Sequence, residues 1–542
     1  MGYDLIKNKM KILAVIPARA GSKGIPNKNI RLIHNKPLIY YAIQNALNSR
    51  YITDVVVSTD SPEVEIIASQ MNVNVKKRNI ALCGDSITLD SVVNDVASGY
   101  DCDYVVTMQP TSPTLTATTL DNAIEYTIKN ELDTLISVVN HPHLSWGDEQ
   151  GKRIPNYSKR LNRQYLPPYY LETGAFLISK AEVVTSHSRI GKKVDVYVIP
   201  EEEAIDIDTF SDLMVADVLL QKKKVAIYVN GNNKRGLGHI YRALEIADEF
   251  YTKPDIYYDI NQTNVKMFGF TTHNLIGVNG FGELLSKLQE KEYNLLINDV
   301  LTTSIDYMIA IKKTLPNAKI VNFEDDGEGI YKADLVFNAL YQQSNLSNVK
   351  VGEKYYIVSK LFMFYHPIDI KENVRTIFIS FGGADPQNYS DRMLNIISNK
   401  KKYEKLHFIV VLGRAKNNVE ALMNYNKYDN IDVLFDVKNM PDLMSKCDIG
   451  ITSRGRTGYE LAVLGIPTIA MAQNEREEKH GFVNNDNGFT YLGLNPSDYI
   501  IESTLDMYIN LSVQDRMKYQ YKLLSHDLRN GRRHVMGLTN DL

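Results

Sequence analysis

Arg19, Lys23 and Lys28 share a ten-residue stretch with Gly21, Ser22 and Gly24 and are followed at once by Asn29. Amides bared by glycine, set beside Arg and Lys, replace the water and counterions that a bound polyphosphate gives up. Much later, Asp206 and Asp208 stand two apart, a spacing that points both carboxylates the same way in an extended segment. Such a pair can share one hard cation, Mg²⁺, which neutralises charge building on an α-phosphate. Arg78, with Asp85 seven residues on, and the run Gln109-Pro110-Thr111-Ser112-Pro113 complete the set. Together they predict nucleotidyl transfer from a triphosphate.

A second group lies beyond residue 225. Gly236-Leu237-Gly238-His239 follows an apolar run and opens a helical pattern read as Ala243 to Phe250. A helix N-terminus favours neutral imidazole, so His239 is either a base near pH 7 or a plain helix cap. Gly382 and Gly383 form a glycine turn suited to a diphosphate. Thr457 and Glu460 follow a polar, glycine-bearing loop. The Glu460 carboxylate either accepts both ribose hydroxyls or is an ordinary first-turn acid. Gln473 and Asn474 close the strand after it.

These groups need elements to hold them. From residue 11 to about 220, apolar runs alternate with helical patterns: Ile12 to Ile16, Asp54 to Thr59, Tyr104 to Met108 and Thr134 to Val139 alternate with helices. That alternation predicts a parallel sheet covered on both faces, with ligands at the carboxyl ends of its strands. The pattern restarts at Val225-Ala226-Ile227-Tyr228-Val229 and again at Thr376-Ile377-Phe378-Ile379-Ser380. The reading is therefore an α/β chain in three parts: a Rossmann-like nucleotidyltransferase domain over 1–221, and a pair of Rossmann-like halves over 222–366 and 367–542 that face each other across a cleft.

Composition narrows the classes. Of 542 residues, 44% are apolar and 23% charged, and 61 Lys plus Arg against 64 Asp plus Glu leave a net charge of −3. No global basic field draws nucleic acid. Cys83, Cys102 and Cys447 lack the spacing of a zinc site or disulfide framework. With no signal-like start and no run approaching the roughly 20 apolar residues of a membrane span, a cytoplasmic protein without membrane contact is expected.

Residues 11 to 220 resemble the acylneuraminate cytidylyltransferases, which activate sialic and related nonulosonic acids as CMP-sugars. The matching text is Ile16 to Asn29, Ser58-Thr59-Asp60, Gln109 to Pro113, and Ala204-Ile205-Asp206-Ile207-Asp208-Thr209. The resemblance implies CTP and a nonulosonate as substrates. Arg19, Gly21, Ser22, Lys23 and Lys28 would hold the phosphates, Arg19 and Lys28 catalytically. Asn29, Arg78 and Asp85 would hold the nucleotide, and Asp206 with Asp208 the magnesium. Gln109, Thr111, Ser112, Thr173 and Arg163 would hold the sugar, Arg163 pairing with its carboxylate. Thr114-Leu115 replaces the family's Leu-Arg, and Leu171 and Thr173 replace an Arg and an Asn. Fewer donors there favour a deoxygenated nonulosonate over N-acetylneuraminate. The family also implies a homodimer or higher homo-oligomer.

Residues 225 to about 540 resemble the GT-B nucleotide-sugar enzymes, closest to the UDP-sugar hydrolase of pseudaminic acid biosynthesis and to spore-coat SpsG-like proteins. That likeness implies His239 as the base activating water, Glu460 on the ribose, and Asp299 and Asp325 lining the cleft. Gly238, Gly382, Gly383, Thr457, Gln473 and Asn474 would contact the UDP-sugar. Hydrolase, glycosyltransferase and non-catalytic nucleotide-sugar binding module all remain open for this half.

Overall fold

The computed structural model describes residues 10–21, 24–84, 86–231, 237–341, 344–398 and 400–542. The chain forms two compact units, Met1–Lys222 and Lys223–Leu542. No helix among the described residues is long and apolar enough to cross a membrane.

Unit 1 is built on a seven-stranded sheet. Its strands are β1 (Ile12–Pro17), β2 (Asp54–Thr59), β3 (Asn74–Lys77), β4 (Tyr104–Thr107), β5 (Thr134–Asn140), β6 (Tyr170–Lys180) and β7 (Val194–Val198), in the order β7-β5-β6-β4-β1-β2-β3. All six residues of β1 are buried, as befits a strand covered on both faces. Helices α1 (Leu38–Asn48), α2 (Pro62–Gln70), α3 (Leu89–Ala97) and α4 (Ala117–Lys129) connect the early strands. The sheet departs from the parallel expectation at β6, which runs antiparallel to both β4 and β5. No crossover helix separates β5 from β6; a small hairpin, Trp146–Glu149 with Lys152–Pro155, does, so the chain returns in the opposite direction. Helix α5 (Phe210–Leu220) closes the unit, started by a Thr209/Asp212 capping box.

Unit 2 holds two parallel sheets. The first comprises β8 (Val225–Val229), β9 (Asp255–Asp259), β10 (Asn274–Val278), β11 (Leu295–Asp299), β12 (Lys319–Phe323), β13 (Leu335–Asn338) and β14 (Val349–Val351), in the order β10-β9-β8-β11-β12-β13-β14. The second comprises β15 (Thr376–Ser380), β16 (His407–Leu412), β17 (Ile431–Phe435), β18 (Ile449–Ser453), β19 (Thr468–Ala472) and β20 (Phe489–Leu494), in the order β17-β16-β15-β18-β19-β20. Both wind outward from a central strand and then reverse, which is Rossmann-type winding. In each, the crevice opens where the order reverses, between β8 and β11 and between β15 and β18.

Two helices begin at those crevices. α6 (Gly238–Ala247) starts earlier than the sequence pattern suggests, because His239, Ile240, Ala243, Ile246 and Ala247 already form its buried stripe. α7 (Arg456–Val463) follows β18. The final helix, α8 (Gly531–Asn540), returns to the first sheet, where Val535 and Met536 join its core. The glycine turn after β15 is braced from behind by Lys416, whose side chain is 2% exposed and lies 3.1 Å from Asp385 and 2.7 Å from Asp391. Asp385 in turn accepts the backbone N–H groups of Tyr389 and Ser390, both at 2.9 Å.

Removing Lys416 leaves Asp385 buried without its counter-charge, so Lys416→Ala is expected to destabilise unit 2 by about 3–5 kcal/mol in urea unfolding. A loss below about 1 kcal/mol would contradict the bracing role.

Candidate nucleotide sites

In unit 1 the polar motifs gather where β1 and β4 part. The chain leaving β1 is tied to β2 by Ala18 N–H to Ser58 O at 2.9 Å and by Ala20 N–H to Asp60 Oδ1 at 2.7 Å. Asn29 Nδ2 donates to Arg19 O at 2.9 Å, folding the turn back on itself. Arg78 is buried at the next strand end, where Nη2 donates to Ser58 O at 2.9 Å. Lys28, 15% exposed, reaches across to the acidic pair: Nζ donates to Ile207 O at 2.8 Å and lies 3.1 Å from Asp208 Oδ1. Gly24 allows this approach, since a Cβ there would fall 2.7 Å from Asp208 O. Ser22, Lys23 and Asp85 lie outside the described residues.

Asp206 and Asp208 are both exposed while Ile207 between them is fully buried. Asp206 Oδ2 and Gln109 Nε2 converge on Gly174, 3.0 and 3.1 Å from where its Cβ would be. Gly174 sits in a bulge, for pairing between β6 and β5 slips between Glu172 and Leu177. Among the described residues no cluster of three acidic, His or Cys side chains surrounds the pair. Two carboxylates with open flanks suit a Mg²⁺ ion that keeps water and takes phosphate oxygens for the rest of its shell.

The sugar-side residues are less uniform. Thr111 and Ser112 are buried, and with Thr114 each has a hydroxyl without a hydrogen-bond partner. Thr173 instead turns its hydroxyl inward, donating to Ser137 Oγ at 2.8 Å. Arg163 is 58% exposed and lies 3.5 Å from Glu201. Asp60, quoted in the sequence motif without a role, turns out to hold the Ala20 amide.

In unit 2 a cleft of about 570 Å³ lies between the halves, lined by Gly238, His239, Gly382, Gly383, Thr457, Glu460, Gln473 and Asn474 together with residues the motifs did not single out. His239 Nδ1 is hydrogen-bonded to Asp299. Arg242 grips the same carboxylate through Nε and Nη2, both at 2.7 Å, and reaches Glu324 Oε1 at 3.2 Å. Burial pushes the His239 pKa down, opposed by Asp299, and the neutral ring is favoured. Burial alone would raise Asp299, but Arg242 and His239 hold it down to about 2. An ionised Asp299 on Nδ1 leaves Nε2 as the basic nitrogen. Arg242 was legible in principle, three residues after His239 on one helix face, whereas Glu324 carried no sequence signal.

Two corrections follow. Asp299 and Asp325 do not line the cleft: both are fully buried, Asp299 behind His239, and Asp325 accepting from Thr303 N–H at 2.9 Å and Asn322 Nδ2 at 2.7 Å. Each carboxylate is taken up by neighbours in the first half, away from the open surface.

Residues 13–190 match the protein family described as Cytidylyltransferase. Unit 1 therefore carries a cytidylyltransferase domain. The N-acylneuraminate cytidylyltransferase of Streptococcus agalactiae serotype V is 28% identical over 351 residues, covering 57% of this chain and 84% of that protein. Post-translational flagellin modification protein B of Campylobacter coli is 28% identical over 40% of this chain and 97% of its own length. The chain spans about half the length of several other relatives, 52% and 50% in two N-acylneuraminate cytidylyltransferases. Over 59% of this chain and 100% of its own, the solved MurG of Acinetobacter baumannii aligns at 14% identity with a TM-score of 0.42.

Burial also pushes the carboxyls of Glu460 and Glu477, both on the cleft, up to about 7. Folded, they hold protons that the unfolded chain releases near 4.5. Unit 2 is thus expected to lose stability as pH rises from about 5 to about 8. Melting curves should show this slope flattened in Glu460→Gln/Glu477→Gln, and an unchanged slope would refute the assignment.

Proposed function

We propose that this chain joins two activities of nonulosonic acid biosynthesis. Unit 1 transfers CMP from CTP to the anomeric hydroxyl of a nonulosonate, releasing pyrophosphate. Unit 2 hydrolyses a UDP-linked 2,4-diacetamido-2,4,6-trideoxyhexose, releasing UDP. The first reading is carried by the meeting of Lys28 with Asp208 across 180 residues, beside the glycine turn.

In unit 1 the turn from Arg19 to Asn29 grips the triphosphate through amides and cations, and Arg78 closes the nucleotide side. Asp206 and Asp208 would hold Mg²⁺, whose charge would neutralise that of the phosphates. Lys28, anchored on Ile207 O, holds its Nζ beside that pair. Arg163 exchanges its weak partner Glu201 for the sugar carboxylate, which orients the anomeric hydroxyl toward the α-phosphate. As that oxygen gives up its proton to solvent and bonds to phosphorus, the bond to pyrophosphate breaks and its electron pair leaves on pyrophosphate. The inward turn of the Thr173 hydroxyl, with Leu171 beside it, supports a deoxygenated nonulosonate.

In unit 2 the His239–Asp299–Arg242 arrangement supports general-base chemistry. Water attacks the anomeric carbon, His239 Nε2 takes its proton, and the bond to the β-phosphate oxygen breaks with its electron pair leaving on UDP. A sugar hydroxyl in place of water makes the same cleft a glycosyltransferase. UDP release in the absence of any acceptor sugar distinguishes the two.

The direct test is purified chain with CTP and a panel of nonulosonates, and with UDP-sugars in water, followed by mass spectrometry. Asp208→Asn, at a side chain 77% exposed, is expected to reduce pyrophosphate release by at least about 10²-fold without loss of fold. Normal release at low magnesium would refute the metal role. Asp299→Asn is expected to lower the rate of UDP release about 10²–10⁴-fold while UDP binding persists, because the imidazole loses the partner that fixes its tautomer. Undiminished turnover would make His239 a cap only.

A further inference from the structure

The cleft of unit 2 is lined by four arginines among the described residues, and three are already engaged. Arg242 is held by Asp299 and Glu324. Arg414 lies 3.0 Å from Asp436. Arg476 donates to Glu324 O at 2.9 Å and to the Tyr341 hydroxyl at 3.1 Å. Arg456 differs: among the described residues its side chain has no ion pair, the one hydrogen bond that side chain makes is a 3.5 Å contact from Nη2 to Ile357 O, and Nη1 is buried with no acceptor.

Its position is specific. Arg456 is the first residue of α7, and its guanidinium lies over the Tyr356 ring at 5.2 Å. A Cβ on Gly238 would fall 2.7 Å from Arg456 Cδ, so the side chain lies across the glycine that precedes His239. The facing carboxyl is Glu460, one turn further along α7; burial pushes it up to about 7, opposed by the Arg456 charge, and the two form no ion pair. A partly buried guanidinium with no ion-pair partner and one N–H group without an acceptor is unfavourable unless a ligand supplies the charge. An anion at the start of a helix, opposite the Gly382-Gly383 turn, meets both demands.

We infer that Arg456 binds the β-phosphate of a nucleoside diphosphate in this cleft, beside the nitrogen that acts on the sugar. The inference rests on the nucleotide-sugar reading of unit 2 and adds the residue that reads the second phosphate. Its N–H groups lie where charge accumulates on the departing phosphate oxygen as the anomeric C–O bond breaks. Gly238 is glycine because any side chain there displaces that cation.

Calorimetric titration of the full chain with UDP, UMP and uridine tests it. The natural chain should bind UDP at least about tenfold more tightly than UMP. Arg456→Gln should bring that ratio near one while leaving UMP affinity within about twofold, and Arg456→Lys should recover part of it. Gly238→Ala, which keeps the arginine but moves it, should also lower the ratio, so the outcome does not hang on one variant's folding. A ratio unchanged in both Arg456→Gln and Gly238→Ala overturns the inference while unit 2 remains a nucleotide-sugar cleft. Failure of the natural chain to bind either UDP or a UDP-sugar overturns that reading as well.

Discussion

Parallel strands must all deliver their outgoing loops to one edge of the sheet, and that constraint shapes the three large sheets among the described residues. Where the winding reverses, neighbouring loops diverge and leave a crevice that no side chain fills. In unit 1 the reversal between β1 and β4 gathers the Arg19 to Asn29 turn and Gln109. In unit 2 the two reversals gather His239 on one side and the Gly382 and Thr457 loops on the other. Chemistry-bearing residues far apart along the chain therefore share a site without any sequence adjacency.

Charge inside these crevices is handled in two ways. Where a cation serves the scaffold, it is matched within the protein, as Lys416 is by Asp385 and Arg242 by Asp299. Where a cation is proposed to meet a ligand, the matching is incomplete: Lys28 faces an Asp208 largely open to water, and Arg456 forms no ion pair among the described residues, its neighbour Glu460 being pushed up to about 7 by burial. Desolvation makes an incompletely matched buried group unfavourable in the absence of ligand, and the same imbalance becomes binding energy when an opposite charge arrives.

The antiparallel β6 shows how local detail adjusts this plan. Its bulge around Gly174 brings the strand within reach of Asp206 and Gln109, a contact that regular pairing would not make. Beside the same bulge the Thr173 hydroxyl turns toward Ser137.

Much of the fold was legible along the chain. Apolar runs such as Val225 to Val229 and Thr376 to Ser380 declared buried strands, because a strand covered on both faces has no polar side to alternate with. The glycine-and-cation turn and the paired aspartates declared chemistry by residue type and spacing. The direction of β6 was not legible, since nothing local encodes whether a connection crosses the sheet or turns back. Nor was the placing of the carboxylates: Asp299, expected on the cleft, is buried behind His239, and Glu324, just past the next strand, meets Arg242, because strand pairing brings both strand ends next to α6. Residue type and spacing thus determined what each segment could do. Which charges are matched, as with Arg242, and which are left for a ligand, as with Arg456, was decided only by the tertiary structure, because desolvation and pairing depend on neighbours that the chain supplies from elsewhere.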